Sequence, residues 1–599
     1  MPVTNMLFCN RKPLHRLNTR LAPLCAGVIL ALTLGGSALF SGTAAAQQVG
    51  AGAEWTTSGG TADGTRYSTL TDITPANVGL LKEEFAFQTG VNGSHMGDPL
   101  VVDSTLYAVT PYPNKLVAYD LNTGKAKWTY SPAVNQYAKG VNCCDTTNRG
   151  AAYANGKIVY NLLDNTTVAV DAVTGKQVWR TNLADPHTGV TMTGAPLIAK
   201  GKVFVGTSSG EMGVRGWVQA LDLATGKKLW RAYTTGPDKD VLIGANFHAF
   251  YPKDQGKDIG ATSWQGTAWK QGGSSVWAYL TYDAELDLLF YGTSQPGVWN
   301  PDMRPGDNKW GASVFARKPD TGEAIWAYQV TPHDNWDYDA ISENIAVDQT
   351  VNGTLRKLLV HFDKNGFAYT FDRATGEILL ANPFIGEITW ANGVDLKTGL
   401  PDINTDKLTH QGAETDNICP SALGAKGWEP GTFSPKTGLF YIPTFNMCMS
   451  MHMLKAEYVA GAPYMGNDIA MGLGADPSFT GELIAWDAPT GTKKWGVKER
   501  YAIYGGILST AGGVVFYGTQ DKTFKAIDAS TGAVLFKTQL ECSTVGNPIS
   551  FTGPDGKQRI AVFSGVGAMA GAIGGGGACH SNKTSTAIGG GEVHVFKLP

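Results

Sequence analysis

Short apolar runs alternate along the chain with polar turns, and each turn leads into a second run that closes on a large hydrophobic residue, most often tryptophan. Lys115-Leu-Val-Ala-Tyr119 precedes Asp120-Leu-Asn-Thr-Gly-Lys-Ala-Lys-Trp128, and Thr167-Val-Ala-Val170 precedes Asp171-Ala-Val-Thr-Gly-Lys-Gln-Val-Trp179. A third copy, Asp222-Leu-Ala-Thr-Gly-Lys-Lys-Leu-Trp230, keeps the spacing of 51 residues. Looser copies run from Asp320 to Trp326, Asp372 to Leu380, Pro489 to Trp495 and Asp528 to Phe536. Runs of this length predict strands, and the Thr-Gly turns predict hairpins. A hairpin cannot bury its apolar faces alone, so a fixed period predicts stacked or radially arranged sheets, and antiparallel blades in a ring fit best. Seven copies suit seven or eight blades. The gaps between Trp230 and Asp320 and between Leu380 and Pro489 would then hold insertions, or blades without the signature. The repeated tryptophans are expected to pack blade against blade.

Composition supports an all-β chain, with Gly 75 and Trp 16 among 599 residues. The 43% hydrophobic and 17% charged fractions describe a globular protein with a large core. A net charge of -3 supplies no basic field and removes nucleic-acid binding from consideration. At the N-terminus, Arg11, Lys12, Arg16 and Arg20 precede an apolar run from Leu21 to Phe40, followed by Ala44-Ala45-Ala46. Residues 1–46 read as a cleaved signal peptide, leaving residues 47–599 as a single exported domain in the periplasm. A retained anchor is the alternative; the small-residue site and the polar Gln47-Gln48 argue against it, and no stable membrane anchor is expected. Cys9 and Cys25 leave with the signal, and the six remaining cysteines permit three disulfides. No Cys-x-x-Cys-His occurs, so no covalently attached haem is expected.

Cys143 and Cys144 are adjacent. Neighbouring Cα atoms stand ~3.8 Å apart, below the usual disulfide span, so joining the two closes a strained ring of a kind tolerated mainly at functional sites. The alternative is that they bond elsewhere or stay free. Cys419 and Cys448 make the more natural structural bridge, beside Leu439-Phe-Tyr-Ile-Pro443, and pairing of Cys542 with Cys579 stays open. In Trp336-Asp337-Tyr338-Asp339, residues two apart in an extended segment point the same way, so two carboxylates can face one site. A solvated acidic turn is the alternative.

The cysteine pair with Asp145, Asn148 and Arg149-Gly150, together with the Thr-Gly-x-x-x-Trp units, resembles the quinoprotein alcohol dehydrogenases that use pyrroloquinoline quinone (PQQ), the methanol and ethanol dehydrogenase family. Gly210-Glu211-Met-Gly-Val-Arg-Gly216, Trp299-Asn-Pro-Asp-Met-Arg-Pro-Gly-Asp-Asn-Lys-Trp310, Pro332-His-Asp-Asn-Trp-Asp337 and Asn417-Ile-Cys-Pro-Ser421 extend the likeness over nearly the whole mature chain. The resemblance implies an eight-bladed β-propeller, with PQQ and one metal ion near its axis.

It also implies roles. Asp337 is the general base, and Asp339 is the extra carboxylate of lanthanide-dependent members, as a hard trivalent ion would favour. Glu211 matches a metal ligand, and Gln295 stands where asparagine is usual, so it either displaces the ion slightly or does not ligate. Trp277 takes the quinone face opposite Cys143 and Cys144; Arg149, Thr193, Ser208, Ser209, Gly210, Ser275, Lys364 and Asn417 match polar cofactor contacts. Met96 replaces a common glutamate, and Tyr504 and Met569 replace common tryptophans beside the cofactor, which suggests alcohols bulkier than methanol. The implied reaction passes hydride from the carbinol carbon to the quinone and the hydroxyl proton to Asp337. The electrons then go to a separate cytochrome c or another carrier. Calcium in place of a lanthanide, a sugar or polyol substrate, a non-catalytic propeller scaffold and a homodimer all stay open.

Overall fold

The computed structural model describes residues 50–566 and 591–599. The signal segment and the positions of Met569 and Cys579 lie outside the described residues. Among the described residues the strands form seven four-stranded sheets, one five-stranded sheet and two smaller ones, and the larger sheets are antiparallel meanders apart from one parallel pairing. The all-β expectation holds. Two helices of four residues each, Asp238–Val241 and Ile259–Thr262, sit in the first sequence gap, and no described helix is long and apolar enough to cross a membrane.

The repeat explains how one sheet meets the next. In the first copy Leu116–Asp120 pairs with Lys125–Tyr130, and the register slips by one residue just before Trp128, which faces Ala118. The same slip precedes Trp179, Trp230, Trp326, Trp495, Phe536 and Leu380. A bulge of this kind re-aims the side chain that follows it. Each re-aimed indole lies on the turn of the next copy: a Cβ at Gly175 would come 2.6 Å from Trp128, at Gly226 2.6 Å from Trp179 and at Gly322 2.6 Å from Trp230. These glycines hold φ near +70°, so they meet both demands of the site, a left-handed backbone and a flat surface. The indole nitrogens of Trp179, Trp230 and Trp326 donate to Leu223 O, Pro319 O and Arg373 O at 3.0, 3.0 and 3.1 Å. The turn aspartates are the caps the motif requires: Asp171 Oδ1 accepts from the Thr174 backbone and hydroxyl, both at 2.8 Å.

Early and late strands share one sheet, where Lys82–Gln88 pairs with Glu592–Lys597 beside Gln558–Ser564. The first gap holds the short helices and then the first three strands of a sheet, Leu280–Asp283, Leu288–Gly292 and Ser313–Arg317. The second holds two small sheets, Ala391–Asp395 with Leu400–Ile403 and Glu414–Ile418 with Met447–Met453 and Asn467–Leu473, together with three strands of a four-stranded sheet. Cys419 and Cys448 are joined in this region.

Candidate functional site

Loops between strands converge on a cavity of about 340 Å³ lined by Cys143, Cys144, Arg149, Thr193, Ser208, Ser209, Glu211, Trp277, Asp337, Asp339, Lys364 and Tyr504. Sequence-expected residues from widely separated segments therefore meet in one place, and Met96 lines the same space. Cys143 and Cys144 form a disulfide across adjacent residues, in a loop where Cys144 and Asp145 hold φ of 66° and 109°. The Asp145 side chain accepts from Ser94 Oγ and from the Thr146 backbone, pinning that loop. Arg149 donates from Nη1 to Thr193 Oγ1 at 2.7 Å, and its guanidinium lies 4.5 Å from the Trp277 ring centroid and 5.2 Å from that of Trp428. Thr193 and Ser208 share a hydroxyl contact of 2.9 Å.

Gly210 and Ser275 stand just behind the wall. A Cβ at Gly210 would meet the Ser294 and Ser275 hydroxyls and the Gln295 amide at 3.3–3.5 Å, so the backbone approaches them closely. Ser275 Oγ contacts Ser294 Oγ at 3.0 Å. Asn417 is exposed on Glu414–Ile418 and is not brought to the cavity. Met569 lies outside the described residues.

The acidic tetrapeptide reaches the site by a different local route from the one its sequence suggests. The segment is not an extended strand, since Asp337 has φ of 66°. The buried Asp334 side chain accepts from the Trp336 and Tyr338 backbone N–H groups at 3.0 Å each, and this capped turn presents Asp337. Asp337 and Asp339 still converge, because Lys364 Nζ donates to Asp337 Oδ2 at 3.0 Å and to Asp339 Oδ2 at 3.3 Å. Asp337 Oδ1 is buried with no partner. Gln295 donates its backbone N–H to Asp339 Oδ1 at 2.5 Å. Its amide satisfies its neighbours when the nitrogen donates to Asp339 Oδ1 at 2.6 Å and the oxygen accepts from Trp299 Nε1 at 3.1 Å. In the opposite orientation the amide nitrogen instead donates to Glu211 Oε1 at 3.3 Å, so it is the first orientation that turns the amide oxygen toward Glu211.

Burial raises the Asp337 carboxyl well above the usual carboxylate range, with Asp339 and Glu211 adding to the shift and Lys364 opposing it. Burial likewise raises Glu211. Lys364 is raised because its two carboxylate partners outweigh the burial that would lower it. Three carboxylates, Asp339 buried and Glu211 and Asp337 partly so, against one ammonium make a site short of positive charge, with one orphaned oxygen on Asp337 and the Gln295 amide beside Glu211. This donor set of hard oxygens fits a hard cation, which would lower these carboxyl groups again. Among the described residues, the one His/Cys/Asp/Glu group with ligand atoms within 4.8 Å of one another is Glu387 with Cys419 and Cys448, whose sulfurs are joined and offer no thiolate. The three site carboxylates do not all lie within that distance of one another.

The wall also contains Trp428, Glu429, Phe445, Met465, Ile469 and Met471. These come from the second sequence gap, where no repeat marks them. Tyr504 packs edge-on to Trp428 with centroids 5.7 Å apart.

Comparison with known proteins follows the same lines. Residues 55–381 and 480–560 match the family described as PQQ glucose/ethanol/alcohol dehydrogenase, β-propeller domain. A lanthanide-dependent methanol dehydrogenase of Methylacidiphilum fumariolicum is 47% identical over 508 residues, covering 84% of this chain and 83% of the relative. A quinohemoprotein alcohol dehydrogenase of Pseudomonas putida is 34% identical over 538 residues, covering 86% and 72%. A solved structure described as a europium-containing methanol dehydrogenase superposes with a TM-score of 0.87 at 44% identity, covering 91% of this chain and 98% of that one. The chain therefore belongs to the PQQ-dependent alcohol dehydrogenase family, with its β-propeller fold.

Proposed function

We propose that this enzyme oxidises primary or secondary alcohols to aldehydes or ketones in the periplasm, using PQQ and one metal ion. The observation that carries the reading is a single cavity uniting an adjacent-residue disulfide, Trp277 and Arg149 with the carboxylates of Glu211, Asp337 and Asp339. Residues 1–46 act as the signal peptide, and the eight sheets of four or five strands are the blades of one domain over residues 47–599. Cys143–Cys144 and Trp277 would hold the two faces of the quinone, with Arg149, Thr193, Ser208 and Lys364 around its polar edge. Glu211, Asp337, Asp339 and the Gln295 amide oxygen would hold the metal, and the third carboxylate favours a lanthanide over calcium.

When bound, the quinone supplies a two-electron acceptor and the metal a Lewis acid. The protein supplies the rest. Asp337, with a free oxygen aimed into a buried site, accepts the proton of the substrate hydroxyl. The Asp334 cap fixes the loop that carries it, and Lys364 holds the two aspartates in register. Met465, Ile469 and Met471 give the opening an apolar and adaptable lining, which suits alcohols larger than methanol. Electrons leave to a cytochrome c or another external carrier.

The test is a dye-linked assay of metal-free apo-protein with PQQ, comparing lanthanum with calcium over alcohols from methanol to bulky secondary alcohols. Turnover is expected with PQQ plus lanthanum and to favour larger substrates. Full activity without PQQ would overturn the function, full activity with calcium alone the metal assignment, and a strong methanol preference the substrate class.

A further inference from the structure

Glu429 belongs to no repeat and no acid–base constellation, yet its carboxyl is built into the cavity wall and only 1% of the residue is exposed. One oxygen, Oε2, accepts from the Gly427 backbone at 3.1 Å. The other, Oε1, is buried with no partner. Its neighbour in sequence, Lys426, does not supply one: that ammonium is turned to Glu343 Oε2 at 2.6 Å and to Gly427 O at 3.2 Å. Arg149, within electrostatic reach, binds Thr193 through Nη1 and leaves its own Nε without a partner. The wall around Glu429 thus carries an unused carboxyl oxygen and an unused guanidinium N–H. Met96, packed with Trp428 and Tyr504, adds no hydrogen-bonding group to satisfy either.

Buried polar atoms without partners are rare in folded proteins, and Glu429 Oε1 and Arg149 Nε, in one cavity wall, point to a ligand that completes them. We propose that Glu429 is a cofactor-binding residue, whose carboxyl donates a hydrogen bond to a carboxylate of the quinone that Arg149 also engages. The inference rests on the quinone reading above and adds to it a contact from the Trp428-Glu429-Pro430 segment. Burial pushes the Glu429 carboxyl up to about 7 against the pull of Lys426, so near neutral pH it can hold the proton this contact needs. A donor with a carboxylate acceptor gives a charge-assisted bond, stronger than a neutral pair.

The experiment titrates the lanthanum-loaded apo-protein with PQQ and no alcohol, following quenching of tryptophan fluorescence, for the unaltered chain and for E429L and E429Q. E429L is expected to weaken PQQ binding about 10- to 100-fold. E429Q, whose amide still donates, should stay within about threefold of the unaltered chain. PQQ binding by E429L equal to that of the unaltered chain overturns the contact, and so does a loss in E429Q as large as that in E429L. Should E429L not be recovered folded, E429A removes the carboxyl without adding a branched side chain, and the same outcomes apply. Failure of the unaltered chain to bind PQQ would refute the quinone reading itself, and is distinguishable because it occurs before any substitution.

Discussion

Replacing Gly226 with alanine perturbs the junction between successive sheets at one defined point. Gly226 holds φ of +72°, and an added Cβ would lie 2.6 Å from the Trp179 ring and 2.7 Å from the Thr181 hydroxyl, closer than real Cβ contacts come. Two costs add. A non-glycine residue in the left-handed region costs about 1–2 kcal/mol. Forcing a methyl into the packed indole adds about 1–3 kcal/mol of overpacking. Gly156 separates the two, because it has nearly the same φ of +73° and nothing within 4 Å of the added atom. Gly156→Ala should therefore show the backbone cost alone, and Gly226→Ala should be less stable than Gly156→Ala by about 1–3 kcal/mol. Urea unfolding of the two apo variants, with stability taken from the midpoints at equal slopes, measures the difference. Equal stability of the two variants would refute the claim that the repeated tryptophans lock each sheet onto the turn of the next.

Asp337→Ala should abolish alcohol oxidation, with loss of at least about a thousandfold in turnover, while PQQ titration still shows binding; near-normal turnover would remove Asp337 as the base. Asp339→Ala should weaken lanthanum-supported activity far more than calcium-supported activity, and an equal effect on both would refute a metal-selecting role. Asp98, buried beside Arg66 and bonded to Ser58, is pushed up to about 6 by burial, above its ordinary 3.8. A carboxyl raised in the folded state keeps its proton there to higher pH than in the unfolded chain. Its contribution to stability is complete below about pH 4 and is lost as pH rises to about 6. Asp98→Asn should flatten that part of the urea-midpoint profile, and an unchanged slope would show that another group sets it.

The sheets were legible because their signal is local and periodic. Asp, Thr-Gly and tryptophan fall at fixed offsets, and the chain forms a capped turn, a bulge and a docked indole from them each time. Bulge positions were not legible, because a one-residue slip leaves no mark on an alternating pattern. The site was legible where long motifs carried it: Cys143–Cys144, Arg149, Glu211, Trp277 and Lys364 all reach one cavity. Asp337 and Asp339 converge as expected, but through a left-handed turn capped by Asp334, so side-chain alternation was the wrong reason for a correct meeting. Asn417 faces outward despite its motif. Trp428 and Glu429 were invisible because cavity walls are assembled from residues far apart in sequence, and nothing in a single turn shows what it will face.

The most direct test of the account is the content of the purified, reconstituted protein: PQQ released by denaturation and metal measured by mass spectrometry, each per mole of chain. One PQQ and one metal ion per chain are expected, and Asp337→Ala should still retain the PQQ. A chain that retains no PQQ after reconstitution with either lanthanum or calcium would contradict the assignment of this cavity as a quinone site.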